Sequence, residues 1–148
     1  MNELDTKKNK ILFLCTGNSC RSQIAEALAQ REFDENYYFH SAGVEAHGMN
    51  PYTVKTLAEL DIDVSEKKSK IINDNELNDF DLIITLCGDA RDKCPILKSK
   101  VKHIHWDLKD PANFKGTEKE TLSVYSNTRD LILENIIELK KQLMKEDN

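Results

Sequence analysis

Apolar residues fall into two kinds of run along this chain. Ile11 to Cys15, ILFLC, is continuously apolar and passes directly into the small polar set Thr16, Gly17, Asn18 and Ser19. That is the pattern of a strand buried on both faces and ending in a loop. From Arg21 or Ser22 the period changes: Ile24, Ala27, Leu28 and Arg31 recur at helical spacing, with no Gly or Pro before Phe33. Tyr37 to Ser41 predicts a short aromatic-rich strand ending at Ala42-Gly43, and Val54, Leu57, Ala58 and Asp61, after Pro51, predict a helix with one apolar face. Phe80 to Leu86 and Val101 to Trp106 predict two more strands, and Ile132, Ile136, Leu139 and Leu143 form the stripe of a long terminal helix. The polar ends beyond these elements are expected to fray.

Strands alternating with helices, with apolar strands, predict an α/β fold: a mainly parallel sheet covered by helices on both faces. Ligands in such sheets bind beyond the carboxyl ends of the strands. Cys15 and Cys87 each end a predicted strand, so both are expected on that edge. The 148 residues make one domain, 1–148, without repeats or a linker.

Hydrophobic residues are 39% of the chain, enough for a core. Twenty-one Lys and Arg against 26 Asp and Glu give a net charge of -5, the wrong sign for an electrostatic binder of nucleic acid or anionic membranes. No apolar run approaches the ~20 residues of a bilayer span, and Met1 to Lys10 lacks the apolar region of a signal peptide. A cytoplasmic, reducing setting is the expectation. There, the four cysteines, Cys15, Cys20, Cys87 and Cys94, are catalytic, metal-binding or buried rather than a disulfide scaffold.

The segment Cys15-Thr16-Gly17-Asn18-Ser19-Cys20-Arg21-Ser22 places a cysteine and an arginine five residues apart where a strand turns into a helix. Successive loop N–H groups and the positive end of the helix make a site for a tetrahedral oxyanion, and Arg21 adds a fork that binds two oxygens. Gly17 is expected to let the backbone bend. The same field is expected to lower the pKa of Cys15, making it a thiolate nucleophile, with Ser22 hydrogen-bonded to its sulfur. The plain alternative is a buried cysteine at a strand end. Cys20 reads as a buried structural residue, Trp106 and Phe80 as core, and His40, His47, His103 and His105 have no ligand spacing. The spacing Cys87-x6-Cys94 does not match a zinc site, and no further Cys or His pair completes one, so no metal is expected.

The wording CTGNSCRSQIAEA resembles the loop of the low-molecular-weight protein tyrosine phosphatase fold and is most similar to the thioredoxin-coupled arsenate reductases on that fold. The similarity continues through Ser41-Ala42-Gly43, Asn50-Pro51, Asp61-Ile62-Asp63 and the segment from Thr85-Leu86-Cys87 to Cys94-Pro95. It implies a four-stranded parallel sheet in three layers, and it makes Asp110, in Asp110-Pro111, the general acid. A surface turn is the alternative reading of that dipeptide. Phosphatases of this fold carry tyrosines after the Asp-Pro; this chain has Ala112, Asn113 and Phe114.

The resemblance also implies a relay. Cys15 attacks arsenate, Cys87 attacks the Cys15 sulfur and expels arsenite, and Cys94 then takes Cys87 into a disulfide that thioredoxin reduces. If Gly88 to Lys93 is helical, seven steps of ~1.5 Å hold Cys87 and Cys94 ~10 Å apart, beyond the ~4.4–6.8 Å a disulfide permits. The segment must then loop out, with Gly88 and Pro95 at its ends. Some members of the family hold a potassium ion behind the loop, on oxygens that correspond to Asn18, Glu26, Ser41 and a carboxylate. This chain has Lys70 at the carboxylate's place, its ammonium either replacing the ion or pointing to solvent. Arsenate reduction by a monomer without organic cofactor is thus the leading expectation. A phosphatase of the same fold, a cysteine phosphocarrier and an oxyanion-sensing module are the alternatives.

Overall fold

A computed structural model describes residues 9–95 and 97–146. The fraying expected of the two ends concerns, at positions 1–8 and 147–148, residues outside that range. The elements run β1 (Asn9–Cys15), α1 (Arg21–Glu32), β2 (Tyr37–Gly43), α2 (Pro51–Ala58), α3 (Asp74–Leu77), β3 (Leu82–Thr85), α4 (Gly88–Lys93), β4 (Lys102–His105), a 3-10 turn at Pro111–Asn113 and α5 (Glu118–Glu146). All strand pairs are parallel, in the order β2-β1-β3-β4.

The continuous apolar run forms the central strand: Ile11 to Cys15 are all buried. Phe13 stacks on Phe39 of β2 at 5.9 Å and lies 5.9 Å from Trp106. Each such ring contributes roughly 1.5–3 kcal/mol on burial. Trp106, expected in the core, is only half-buried, because β4 is an edge strand whose first residues, Lys102 and His103, are exposed. The same edge position explains why β4 is shorter than its apolar pattern, whereas β3 is an inner strand paired with both β1 and β4. Helix α2 begins where Pro51 takes the first position and the Asn50 side chain accepts from Tyr52 N–H. Helix α3 has no apolar run to announce it. Asn73 caps it by accepting from Glu76 N–H.

Helix α1 departs from a one-faced stripe, since every residue from Arg21 to Ala29 is buried. It lies against the sheet on one side and α5 on another, so its polar residues Ser22, Gln23 and Glu26 point into the structure. Helix α5 is tied down by Arg129, whose Nη1 donates to Thr56 O at 2.8 Å and meets Glu59 Oε1 at 2.7 Å.

The chain leaves β1 toward β2 on one side and later adds β3 on the other, so the direction of winding reverses at β1. The crevice for ligands in such a sheet opens there, beyond the carboxyl ends of β1 and β3. Leu86 N–H continues the pairing onto Leu14 O at 2.9 Å, which sets Cys15 and Cys87 side by side on that edge, as the strand pattern predicts. Among the described residues, no helix is long and apolar enough to cross a membrane.

Candidate active site

The backbone of residues 15–20 is turned inside out relative to an ordinary loop. Cys15 O accepts from Val44 N–H (3.1 Å), Thr16 O from Glu45 N–H (2.9 Å), Gly17 O from His47 N–H (3.0 Å) and Cys20 O from Ile24 N–H (2.9 Å). Asn18 O takes the Ser69 hydroxyl at 2.7 Å, and Ser19 O takes Asn50 N–H at 3.3 Å and the Thr53 hydroxyl at 2.9 Å. Every carbonyl is thereby held outward, leaving the N–H groups to face the concave side. Helix α1 adds its own: Cys20 at its N-cap makes no side-chain cap, and the first turn holds no acidic residue. An uncapped, unneutralised helix start opening onto inward N–H groups is a site for an oxyanion.

The left-handed bend is made by Asn18, at φ 49, a conformation that asparagine tolerates. Gly17, expected to supply that bend, instead gives room: a Cβ there would strike the His47 ring. Gly43 gives room as well, since its Cβ would lie 2.7 Å from Thr16 O and 2.8 Å from Asn18 N.

Hydrogen bonds fix the direction of each proton behind the loop. Asn18 Oδ1 accepts from Gln23 Nε2 (3.0 Å) and from Lys70 N–H (2.8 Å), so its amide nitrogen must face Ser22 Oγ, to which it donates at 2.8 Å. Ser22 Oγ therefore receives a proton there and has its own to give to Cys15 Sγ, 2.8 Å away. This chain aims a donor at the sulfur.

Burial nevertheless wins at Cys15. It pushes the thiol up from its ordinary value, against the Ser22 hydroxyl, the Ser22 and Asn18 N–H groups and the Arg21 charge, which pull it down. The expected net lowering is thus corrected: the donors are present, but a cysteine only 3% exposed loses more to desolvation than they return. Removing the Ser22 hydroxyl in Ser22→Ala takes away a downward pull. The acidic limb of kcat/KM should then move to higher pH, lowering the rate on that limb several-fold. A limb that stays in place would show that Ser22 does not act on the thiol.

Arg21 is 6% exposed. Its Nη1 donates to Leu108 O at 2.9 Å and Leu86 O at 3.3 Å, and its Nη2 lies 3.5 Å from Asp110 Oδ2. Its Nε is buried with no hydrogen-bond partner among the described residues. Asp110 also caps the 3-10 turn, its Oδ1 accepting from Ala112 N–H at 3.0 Å. The turn and the site are therefore one arrangement: capping brings the carboxylate to Arg21.

Cys87 is buried with its Sγ 3.1 Å from Thr16 Oγ1 and 3.3 Å from Ala90 N–H, at the N-cap of α4. Cys94 ends the same helix, half-buried, where burial and the neighbouring Asp74 push its thiol up. Both have free thiols. With α4 helical over Gly88–Lys93, the two alpha carbons sit ~10 Å apart, too far to bond without unwinding. Cys20 is 5% exposed and points away toward Tyr125.

Behind the loop, Glu26 is 3% exposed and accepts from the Ser41 hydroxyl at 2.8 Å. Lys70 is exposed and makes no ion pair with Glu26 among the described residues; its backbone, not its ammonium, serves Asn18. The ammonium is thus the solvent-facing one of the two expectations. The donors do not fit a potassium ion either: Asn18 Oδ1 is filled by two N–H groups, and the further carboxylate is missing. Replacing sodium by potassium at equal ionic strength should leave Tm unchanged. A site filled at 100 times its Kd would add about 2.7 kcal/mol, or roughly 5–10 °C for a chain of this size, and such a rise would contradict this reading.

Several contributors carry no local signal. The Val44 to Met49 segment that fills the loop's carbonyls has no motif, and Ser69 and Tyr125 reach the loop only through the fold. His103 and His105 converge on the Thr85 hydroxyl, at 3.0 and 2.8 Å, a pairing set by the β3–β4 register.

A strand-end cysteine, inward N–H groups and a buried arginine define a protein of the cysteine-phosphatase type. The model of the low molecular weight phosphotyrosine protein phosphatase family matches residues 10–148, and the chain belongs to that family. Within it, an arsenate reductase of Bacillus licheniformis is 50% identical over 129 residues, covering 87% of this chain and 93% of its own. Among solved structures, an arsenate reductase in a phosphate-binding state superposes with a TM-score of 0.71 at 27% identity, covering 90% of this chain and 98% of that one. A YwlE arginine phosphatase, a mutant whose active-site serine is phosphorylated, superposes with a TM-score of 0.74 at 28% identity, covering 92% and 96%.

Proposed function

We propose that this chain reduces arsenate to arsenite through Cys15, Cys87 and Cys94, with thioredoxin returning the enzyme to its dithiol state. The observation that carries the reading is the second thiol: Cys87 Sγ lies against Thr16, the residue after the nucleophile. Hydrolysis of a phosphoenzyme has no use for a second thiol there. The half-identical arsenate reductase of Bacillus licheniformis supports the substrate.

The oxyanion sits on the N-H groups of residues 16–22, with Arg21 Nε, a buried donor lacking a partner, turned to one of its oxygens. Cys15 attacks arsenic as an oxygen leaves as water, Asp110 passing to that oxygen the proton that the Cys15 thiol gives up. The raised thiol is no obstacle, because a thiol with a doubly charged oxyanion holds the same protons as a thiolate with a singly charged one. The Cys87 thiol then gives its proton to an oxygen of the arsenic adduct, and its sulfur attacks Cys15 Sγ. The S–As bond breaks, its electron pair stays on arsenic, and arsenite departs as a Cys15–Cys87 disulfide forms. Cys94 attacks Cys87, which requires α4 to unwind and frees Cys15. Unwinding also brings the Cys87–Cys94 disulfide within a thioredoxin's reach. The relay uses protein thiols alone. We assign it to a cytoplasmic monomer, where the reducing setting keeps these thiols free.

One observation favours a second activity at the same site. A groove of about 900 Å³ beside Asp110, lined by Leu108, Pro111, Phe114, Val124 and Leu131, suits the apolar part of an aryl phosphate. A single comparison tests the proposal: arsenite formation with thioredoxin, its reductase and NADPH, set beside phosphate release from an aryl phosphate. Arsenite formation is expected to dominate, and phosphate release without arsenite would leave the chain a phosphatase.

A further inference from the structure

Gln23 is a polar residue for which the relay has no use, yet it is only 1% exposed in the first turn of α1. An amide buried there costs stability unless its polar atoms are engaged. Gln23 Nε2 lies 3.3 Å from Asn18 O, 3.2 Å from Lys68 O and 3.0 Å from Asn18 Oδ1. The first two are backbone carbonyls, which only accept, so the nitrogen end of the amide must face them. The backbone thus sets which way the Gln23 amide points. With that nitrogen in place, Asn18 Oδ1 has a donor in front of it, and Asn18 Nδ2 is turned to Ser22 Oγ at 2.8 Å. The Ser22 proton is left for Cys15 Sγ.

Gln23 also steadies the second donor. Lys70 N–H reaches Asn18 Oδ1 at 2.8 Å from a segment without regular secondary structure. That segment is fastened by Lys68 O on Gln23 Nε2, by the Ser69 hydroxyl on Asn18 O at 2.7 Å, and by Lys70 O on Gly43 N–H at 2.8 Å. Removing the Gln23 amide therefore takes one donor from Asn18 Oδ1 and loosens the other. An Asn18 amide so released turns its oxygen to Ser22, and a hydroxyl facing that oxygen gives its proton there instead of to the sulfur. We propose that Gln23 is a positioning residue for the nucleophile: by holding Asn18 and Lys68 from α1, it aims the Ser22 proton at Cys15 and favours the thiolate. The charged and titratable groups around Cys15 are separate from this chain of contacts. Arg21 stands on α1 with Asp110 behind it, Cys87 lies against Thr16 from the end of β3, and His47 packs at Gly17, paired with Glu45. Among the described residues, none of these makes a hydrogen bond or an ion pair with Gln23.

This inference rests on Cys15 as the nucleophile and not on which oxyanion it attacks, so its test reads the thiol itself. Wild type, Gln23→Met, Ser22→Ala and Gln23→Met/Ser22→Ala are alkylated with iodoacetamide across a range of pH, and labelling at Cys15 is followed by mass spectrometry. Phosphate binding and arsenite formation are measured on the same preparations. Gln23→Met should bind phosphate yet label Cys15 several-fold more slowly on the acidic limb, the scale of one hydrogen bond, with the limb moved to higher pH as in Ser22→Ala. The double variant should match Ser22→Ala, because Gln23 acts through a proton no longer present, whereas a merely structural role would add its own loss. A Gln23→Met chain that binds phosphate and keeps the wild-type limb, or a double variant whose limb lies well above that of Ser22→Ala, overturns the proposal. Gln23→Leu, another apolar side chain of similar volume, repeats the measurement, and loss of phosphate binding in both variants would also overturn it, making Gln23 a support of the cradle as a whole. Wild type that forms no arsenite would end the reductase reading and leave this one standing.

Discussion

Cys15→Ser should abolish arsenate reduction and aryl phosphate hydrolysis together, each by at least about 10^4-fold, the scale on which losing a nucleophile acts. The reason is positional. Cys15 ends the central strand, the inward N–H groups of residues 16–22 surround its sulfur, and the Asn18–Ser22 chain delivers a proton donor to it at 2.8 Å. A serine there keeps the shape of the cradle but is a far weaker nucleophile, so the oxyanion still binds while neither reaction starts. Assaying both activities on one preparation checks this, with phosphate affinity as the control for an intact cradle. Either activity surviving near its normal rate would remove Cys15 from the first step.

Cys94→Ser should convert a turning-over enzyme into one that releases about one arsenite per molecule and stops. Nothing in the cradle changes, so Cys15 and Cys87 complete their steps, and the chain then rests as a Cys15–Cys87 disulfide in which both sulfurs are buried. Quantifying arsenite against enzyme, with thioredoxin as sole reductant, gives the stoichiometry directly. Sustained turnover would show that thioredoxin reaches the inner disulfide without Cys94. Cys87→Ser sets the contrast: it should lose arsenate reduction but keep phosphate release, which needs only the loop, Arg21 and Asp110.

The sequence made some parts of this arrangement plain and hid others, for physical reasons. Strand β1 and the loop after it were legible because an uninterrupted apolar run meets small polar residues, and the parallel sheet followed from alternating periods. The strand-end rule then set Cys15 beside Cys87 before any distance was known. Edge strand β4 was legible only roughly, because half its residues face solvent and the apolar pattern weakens. Helix α3 was missed, since four residues held by an Asn73 cap leave no period to read. The proton directions were out of reach as well. Asn18 is fixed by Gln23 and by the backbone of Lys70, contacts that exist only once the loop and the segment near Ser69 have met. The state of Cys15 was misjudged for a related reason: the helix start and Arg21 are visible in the sequence, but the extent of burial is not.

A thiol count tests the three-cysteine relay most directly. The wild-type protein, fully reduced, is mixed with arsenate in the absence of thioredoxin and any other thiol, and free sulfhydryls are titrated against arsenite released. Two thiols should be lost for each arsenite, with one arsenite per chain and the disulfide mapped to Cys87 and Cys94. Arsenite released without loss of thiols, or thiols lost from Cys15 with Cys94 still free, would contradict it.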